Sequence, residues 1–260
     1  MNDLKDIIDL QRHPVGDATY ATRCRGVFQK SSILVLKNFL RIDALLNLQA
    51  EASALQDKAF YCSQNHNVLL TDKNEQLDKN HACNLEVVSD KGCVPHDLIP
   101  PNSCLRTIYN SSLFQNFIQS VVSIDKIHPY ADTLSSINYN YYEKNQQLGW
   151  HFDNASFAIS LTIQSPESGG YFQYVQDVRN VEKKTVNTQL IYSVLQNKHP
   201  IEKLQTEETT LVLFNGRNNL HRVTPVTSKK HRVLVTLNYN LEENIQLSEN
   251  ARMTFFGRLN

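Results

Sequence analysis

The segment Trp150-His151-Phe152-Asp153 has the residue types and spacing of a metal site. Side chains two positions apart in an extended chain point the same way, so His151 and Asp153 present an imidazole and a carboxylate side by side. His221, in the apolar segment NLHRVTPV, is of the type needed for a third ligand. Two histidines and one carboxylate on one face leave coordination positions open, as expected at a catalytic non-haem iron(II) centre.

Arg232 follows His221 by eleven positions and begins the strand-like segment RVLVTLNYN. Arginine carries a permanent charge on a planar group that pairs with a carboxylate through two hydrogen bonds. Taken alone, Arg232 could equally be a surface arginine at a strand end. Beside the predicted metal ligands, it is favoured as the anchor of a cosubstrate with a remote carboxylate.

The elements before residue 130 that must support such a site read as helices and loops. Residues 38–55 have leucines at roughly helical spacing, and residues 111–122 begin with a serine suited to cap a helix. The polar, irregular stretch 57–101 is predicted to form loops with short elements that could reach over a site.

Short strand-like segments separated by turns such as SPESGG and FNGRNN follow Tyr130. The predicted strands are 136–142, 157–164, 170–175, 209–214, 220–226 and 232–239. Strands of this length and punctuation predict an all-β barrel or jelly roll, interrupted by a charged insertion at about 178–208. We expect one domain over residues 1–260. Its predicted parts are a support region (1–130), a β core (131–245) and a C-terminal tail (246–260).

The overall composition narrows the classes of partner. Lysine plus arginine (26) equals aspartate plus glutamate (26), so there is no basic field to attract nucleic acid or an anionic membrane. The five cysteines lack a CxxC pair, which favours free thiols over a disulfide framework or a zinc site. No signal-peptide core and no run of about 18 apolar residues occurs. A cytoplasmic protein is expected, and its oligomeric state stays open.

The combination of Tyr-x8-His-x-Asp, the strand SGGYFQYV, the segment LVLFNGRNNLHRVTPV and an arginine about ten residues later resembles the Fe(II)- and 2-oxoglutarate-dependent oxygenases. The resemblance covers residues 142–239. It implies a mainly β fold with a helical N-terminal part and a double-stranded β-helix (jelly-roll or cupin-like) core. It also implies Fe(II), 2-oxoglutarate and O2. The family's iron ligands map to His151, Asp153 and His221, and its anchor for the 2-oxoglutarate C5-carboxylate maps to Arg232.

Tyr142 occupies the place where several relatives keep a tyrosine that hydrogen-bonds the same carboxylate. Tyr139 and Tyr141 in the same segment are competitors for this role. The runs ILVLKNFLRIDALLNLQAEA, LFNGRNNLHRVTPV and TFFGR resemble a branch similar to the free-amino-acid radical halogenases and their hydroxylating relatives. In those halogenases Gly or Ala replaces the carboxylate of the His-x-Asp pair, so that chloride can bind iron. Because Asp153 is present, the resemblance implies hydroxylation.

The resemblance further implies a small-molecule substrate, namely a free amino acid or a related metabolite. Candidate contacts are Asn140, which shares a strand face with Tyr142, and Trp150 and Asn154, which flank the His-x-Asp pair. Weaker candidates for the carboxylate and ammonium groups of an amino acid are Arg106, Arg217, Arg222 and Glu143.

Other functions remain open at this point. A peptide or protein side-chain hydroxylase would have an open groove in place of a small covered pocket. A non-enzymatic β-barrel binding protein would keep the motif as a vestige, which the intact set of site residues disfavours. A nucleic-acid demethylase is disfavoured by the neutral charge and by Asn238, which stands where a second arginine is expected.

Overall fold

The N-terminal part of the chain is helical, as predicted. A computed structural model describes residues 3–78 and 81–260. The helices are α1 (Leu4–Ile7), α2 (Ala18–Ser31), α3 (Ile42–Leu55), α4 (Cys104–Asn110), α5 (Ser112–Val122), α6 (Thr188–Leu195) and α7 (Glu249–Phe256). The α5 prediction is confirmed in detail, since the Ser111 side chain accepts a hydrogen bond from the backbone N–H of Phe114.

Two antiparallel sheets form the β core. The strands are β1 (Ile33–Leu36), β2 (Phe60–Asn67), β3 (Glu86–Val94), β4 (Ile137–Tyr142), β5 (Leu148–His151), β6 (Ala158–Gln164), β7 (Phe172–Val175), β8 (Arg179–Asn180), β9 (Thr185–Val186), β10 (Glu202–Leu204), β11 (Leu211–Phe214), β12 (Leu220–Val223) and β13 (Arg232–Leu237). The large sheet has the order β1-β11-β6-β13-β4-β3-β2, and the small sheet has the order β10-β7-β12-β5. Because β4 to β7 and then β11 to β13 alternate between the sheets, the chain winds as a double-stranded β-helix, which confirms the predicted fold.

Strand β4 shows how one strand serves both the core and the interior between the sheets. Its odd-numbered residues Ile137, Tyr139 and Tyr141 join the main hydrophobic core. The hydroxyl groups of Tyr139 and Tyr141 donate to Glu51 Oε1 (2.9 Å) and to the carbonyl of Ala52 (2.8 Å) in α3. Both competitors of Tyr142 therefore face the support helices, and the alternate residues of β4 face the space between the sheets.

The stretch 57–101 differs from its prediction. In place of short elements, it contains two long strands: β2 pairs antiparallel with β3 along its whole length, and β3 pairs with β4. Because both faces of β2 are partly exposed, its sequence is polar throughout and lacks the alternation of apolar and polar residues that is typical of a strand. Pairing with β3, and through it with the buried β4, supplies the stability that the local sequence does not reveal.

The predicted insertion and tail also contain ordered elements. Residues 178–208 hold β8, β9, α6 and β10, and β10 joins the small sheet beside β7. The tail forms α7, which packs on β2 and β3. No disulfide bond joins any of the five cysteines, all of which lie among the described residues. No helix within residues 3–78 and 81–260 has the length and apolar character needed to cross a membrane.

Candidate active site

Strands β5 and β12 bring the predicted metal ligands together. They pair antiparallel, with His221 directly opposite His151. Asp153 lies two residues beyond the end of β5. One candidate ligand atom from each of the three side chains lies within 4.8 Å of the others, so His151, Asp153 and His221 could hold a metal ion.

Backbone carbonyl groups fix the orientation of both imidazoles. Nδ1 of His151 lies 2.8 Å from the carbonyl oxygen of Gly149, and Nδ1 of His221 lies 2.9 Å from that of Asn219. Since Nδ1 is the donor in each bond, Nε2 is the ring nitrogen left to bind a metal ion. The two Nε2 atoms lie 3.5 Å and 3.4 Å from Oδ1 of Asp153.

The electrostatics of the triad favour the protonation states that bind metal. Burial, together with the neighbouring His221, lowers the pKa of His151 and keeps its ring neutral. Burial opposes ionisation of the Asp153 carboxyl, whereas positive charge on His221 and His151 lowers its pKa; a bound cation would supply positive charge in place of those protons. Oδ2 of Asp153 is buried without a hydrogen-bond partner among the described residues. Converging acceptors of this kind fit a divalent cation with nitrogen and oxygen ligands, such as Fe(II).

Gly216 is a site residue that sequence reasoning missed. A Cβ atom at this position would lie 1.8 Å from Oδ2 of Asp153 and 2.9 Å from Cε1 of His221. The carbonyl oxygen of Gly216 also accepts a hydrogen bond from the backbone N–H of Asp153 (3.0 Å). The sequence did contain a signal for it, because Gly216 lies in the turn FNGRNN just before His221. That segment was interpreted only as a turn.

Arg179, at the start of the insertion, connects the loop that carries Asp153 with the loop that precedes β12. Its guanidinium donates to the carbonyl oxygen of Asp153 (3.0 Å) and to that of Arg217 (2.7 Å), and it lies 4.4 Å from the centre of the Phe152 ring. The backbone N–H of Asp177 is also bonded to the side chain of Asn219 (2.8 Å). The insertion therefore supports the metal site, which no local sequence signal indicated.

Arg232 and Tyr142 lie opposite each other on β13 and β4. The guanidinium carbon of Arg232 is 5.4 Å from the centre of the Tyr142 ring. Arg232 is 5% exposed, and its Nη1 has no hydrogen-bond partner among the described residues. Burial lowers the pKa of Arg232. A buried guanidinium with an unused donor fits the remote carboxylate of 2-oxoglutarate.

A cavity of about 430 Å³ between the two sheets joins these groups. It is lined by the metal-binding triad, by Arg232 and by Tyr142. Two of the predicted substrate residues, Asn140 and Asn154, also line it. Asn140 is buried inside the cavity, whereas Asn154 is exposed at its edge.

The structure does not bring Trp150 to the cavity. Trp150 is buried on the opposite face of β5, where the guanidinium carbon of Arg222 lies 4.7 Å from its ring centre. The prediction that Trp150 contacts substrate is not supported by this placement, since neighbouring residues of a strand point to opposite faces. The four weaker candidates for an amino acid's charged groups, Arg106, Arg217, Arg222 and Glu143, are also absent from the described cavity lining.

Comparison with known proteins agrees with this geometry. A family model described as Halogenase D matches residues 17–254. The chain belongs to the Halogenase D family. A search of curated proteins finds no significant sequence match.

Several solved structures share the fold. An oxidoreductase of the 2OG-Fe(II) oxygenase family from Burkholderia pseudomallei has a TM-score of 0.55 and 11% identity, covering 87% of this chain and 93% of that chain. The alpha-ketoglutarate-dependent epimerase SnoN from nogalamycin biosynthesis has a TM-score of 0.59 and 8% identity, covering 86% and 84%. A prolyl hydroxylase from Trichoplax adhaerens, solved with a hypoxia-inducible-factor peptide, has a TM-score of 0.54 and 14% identity, covering 85% and 89%.

The chain shares the fold of Fe(II)- and 2-oxoglutarate-dependent oxygenases, and the family match agrees with the predicted enzyme class. The His-Asp-His triad fits the predicted requirement for Fe(II), 2-oxoglutarate and O2.

Proposed function

We propose that this oxygenase hydroxylates an unactivated C–H bond of a free amino acid or a similar small metabolite. In the overall reaction, 2-oxoglutarate and O2 give succinate and CO2, and one oxygen atom enters the substrate as hydroxyl. The observation that carries the proposal is that one cavity joins the triad to the unpaired guanidinium of Arg232.

We assign roles to the chain's own residues as follows. His151, Asp153 and His221 hold Fe(II), and Arg232 pairs with the remote carboxylate of 2-oxoglutarate beside Tyr142. When bound, the iron and its cosubstrates supply the oxidising chemistry. The protein orients the ligands through the backbone carbonyls that hold both imidazoles, and the cavity between the sheets positions the substrate beside the triad.

Asp153 supports hydroxylation over halogenation within this family. The implied halogenases lack a carboxylate at this position, whereas here the carboxylate is present and lies next to both imidazoles. Gly216 leaves the space that this carboxylate occupies. The site therefore has a complete set of three protein ligands.

The C-terminal segment covers one end of the cavity, and this cover favours a small substrate over a protein side chain. Residues of the C-terminal segment, Leu247, Ala251 and Phe256, line the cavity, so α7 covers the end that lies against β2 and β3. Such cover leaves room for a small molecule more readily than for an extended peptide. The prolyl hydroxylase solved with a peptide and the epimerase from nogalamycin biosynthesis both share this fold, so the fold alone does not decide the substrate class.

The test is succinate release by protein that has been reconstituted anaerobically with Fe(II) and then exposed to air. A panel of free amino acids and short peptides is compared, with His151→Ala as the inactive variant and His199→Ala, outside the described cavity lining, as its control. We expect one small metabolite to stimulate turnover and to gain one oxygen atom, measured by mass spectrometry. Absence of both iron binding and 2-oxoglutarate consumption contradicts the enzyme class. A chlorinated product in chloride buffer contradicts hydroxylation.

We also propose that residues 1–260 form one domain. The hydrophobic core that contains Ile137, Tyr139 and Tyr141 of β4 also contains residues of α1 to α5, so the support region and the β core share buried surface. A single cooperative unfolding transition is expected by calorimetry. Two separated transitions contradict this organisation.

A further inference from the structure

The end of the cavity between β3 and α7 contains a cation that the proposed function does not use. Lys91 is a half-buried residue of β3 that lines the cavity. Its Nζ lies 2.5 Å from Oδ1 of Asn140 and 5.5 Å from the centre of the Phe255 ring. Among the described lining residues, Arg232 is the other lysine or arginine, and Asp153 is the one carboxylate.

The charges of this cavity do not balance without ligands. Asp153 is assigned to iron and Arg232 to 2-oxoglutarate, which leaves the ammonium group of Lys91 with a neutral amide as its partner. The amide nitrogen of Asn140 bonds to the carbonyl oxygen of Asn138 (3.2 Å), so its oxygen is directed at Lys91. An ammonium group has further donors, and a partly buried charge is stabilised when a negative group accepts them.

We propose that Lys91, oriented by Asn140, binds the carboxylate of the substrate. This inference rests on the proposed function, since it takes Arg232 as the site of 2-oxoglutarate. A single lysine matches a monoanion, whereas a phosphate dianion would leave one negative charge uncompensated in a partly buried site. Leu247, Phe255 and Phe256 of the C-terminal segment line the cavity and provide contacts for an apolar body.

Among the described lining residues, no carboxylate besides Asp153 is available to pair with a substrate ammonium group. Glu143, the acidic residue considered for this role, accepts hydrogen bonds from Tyr61 (2.6 Å) and Gln56 (3.3 Å) and is not among the described lining residues. The substrate is therefore selected by its carboxylate, and removal of an amino group has a small effect on binding. An aliphatic carboxylic acid binds nearly as well as the corresponding amino acid.

Three probes with the same aliphatic body test this inference: 4-methylpentanoate, 4-methylpentanamide and L-leucine. Binding is measured anaerobically by calorimetry, with Mn(II) in place of iron and saturating 2-oxoglutarate. In the wild-type protein, the pentanoate and leucine are expected to bind within about threefold of each other, and the amide at least about tenfold more weakly. Lys91→Met removes this preference, Lys91→Arg retains it, and Lys30→Met, an exposed lysine at the end of α2, is the matched control.

The inference is overturned if wild-type protein shows no preference for the carboxylate probes, or if folded Lys91→Met protein keeps that preference. Thermal unfolding of each variant shows whether it is folded, and Lys91→Arg provides the second variant should Lys91→Met fail to fold. Weaker binding of 2-oxoglutarate to Lys91→Met also overturns it, because Lys91 then belongs to the cosubstrate site. If 2-oxoglutarate does not bind to the Mn(II) form of the wild-type protein, the proposed function fails instead.

Discussion

The two ends of the cavity are built in different ways. At the metal end, backbone groups fix the side chains: the carbonyls of Gly149 and Asn219 orient the imidazoles, and the carbonyl of Gly216 holds the backbone N–H of Asp153. At the other end, Lys91 and Asn140 meet through their side chains next to α7. Geometry set by strand register tolerates less change than geometry set by flexible side chains. The metal end therefore suits the fixed ligand geometry of an iron centre. The other end suits side-chain contacts that can be adjusted to a particular substrate.

The largest effect is expected from removing a ligand. Asp153→Ala should lower iron affinity by about tenfold to a hundredfold and reduce formation of hydroxylated product, because it removes one of three ligands and leaves the two histidines with which the halogenases named above hold iron. Metal content and succinate release are measured, with His199→Ala as control. An Asp153→Ala protein with the iron affinity and the hydroxylation activity of the wild type would contradict the assignment of Asp153 as a ligand.

Arg232→Met should raise the Kd for 2-oxoglutarate by about tenfold to a hundredfold, because it removes a buried charged partner of the carboxylate. Iron binding should be unchanged, since Arg232 is not one of the ligand residues. Calorimetry of the Mn(II) form checks both quantities. Arg12→Met, at an exposed position, is the control. Unchanged affinity for 2-oxoglutarate contradicts the assignment.

Gly216→Ala tests the backbone-built end without removing a ligand. The added methyl group would displace the Asp153 carboxylate, so iron affinity should fall by about tenfold or more, an effect of the size seen when outer partners are lost. Gly26→Ala is a matched control, because a Cβ there meets no atom within 4 Å. That control should keep full activity and gain about 0.5–1 kcal/mol in stability from its position in α2. Equal activity of Gly216→Ala and Gly26→Ala would contradict the close approach of Gly216 to the Asp153 carboxylate.

Arg179→Gln should lower iron affinity by about tenfold, because it releases the carbonyl groups of Asp153 and Arg217 from a shared donor. Affinity for 2-oxoglutarate measured at saturating metal should change little. Arg179→Lys is expected to restore part of the iron affinity. Equal metal affinity in the wild-type and Arg179→Gln proteins would show that the insertion does not position the triad.

The smallest effect on activity is expected from Trp150→Phe. Trp150 faces away from the cavity, so kcat and KM should stay within about twofold, while the weaker contact of the smaller ring with Arg222 lowers stability by about 0.5–1 kcal/mol. Thermal unfolding and steady-state kinetics separate the two results. A changed substrate preference in this variant would restore Trp150 as a substrate contact.

The sequence could predict the metal end because its geometry follows from local rules. The His-x-Asp spacing and the strand pleat place two ligands on one face, and the apolar context of His221 places the third. The same pleat excludes Trp150 from that face, so its proposed contact with substrate ignored a rule that was already available. The identity of Gly216 as a site residue depends on how closely two loops approach, which spacing does not reveal.

The substrate end could not be predicted in this way. Lys91 reaches Asn140 only because β3 pairs with β4, and that pairing joins segments almost fifty positions apart in the chain. The polar composition of β2 and β3 predicted loops, which concealed Lys91 as a lining residue. The pairing of half-exposed strands depends on partner strands far away in the chain, and the local sequence does not identify those partners.

The most direct test of the central claim is an anaerobic calorimetric titration of the protein with Fe(II), followed by 2-oxoglutarate. The account predicts one iron per chain in the wild-type protein, no iron in His221→Ala, and tight 2-oxoglutarate binding only after iron is bound. Iron binding that survives in His221→Ala, or 2-oxoglutarate binding that does not depend on the metal, would contradict it.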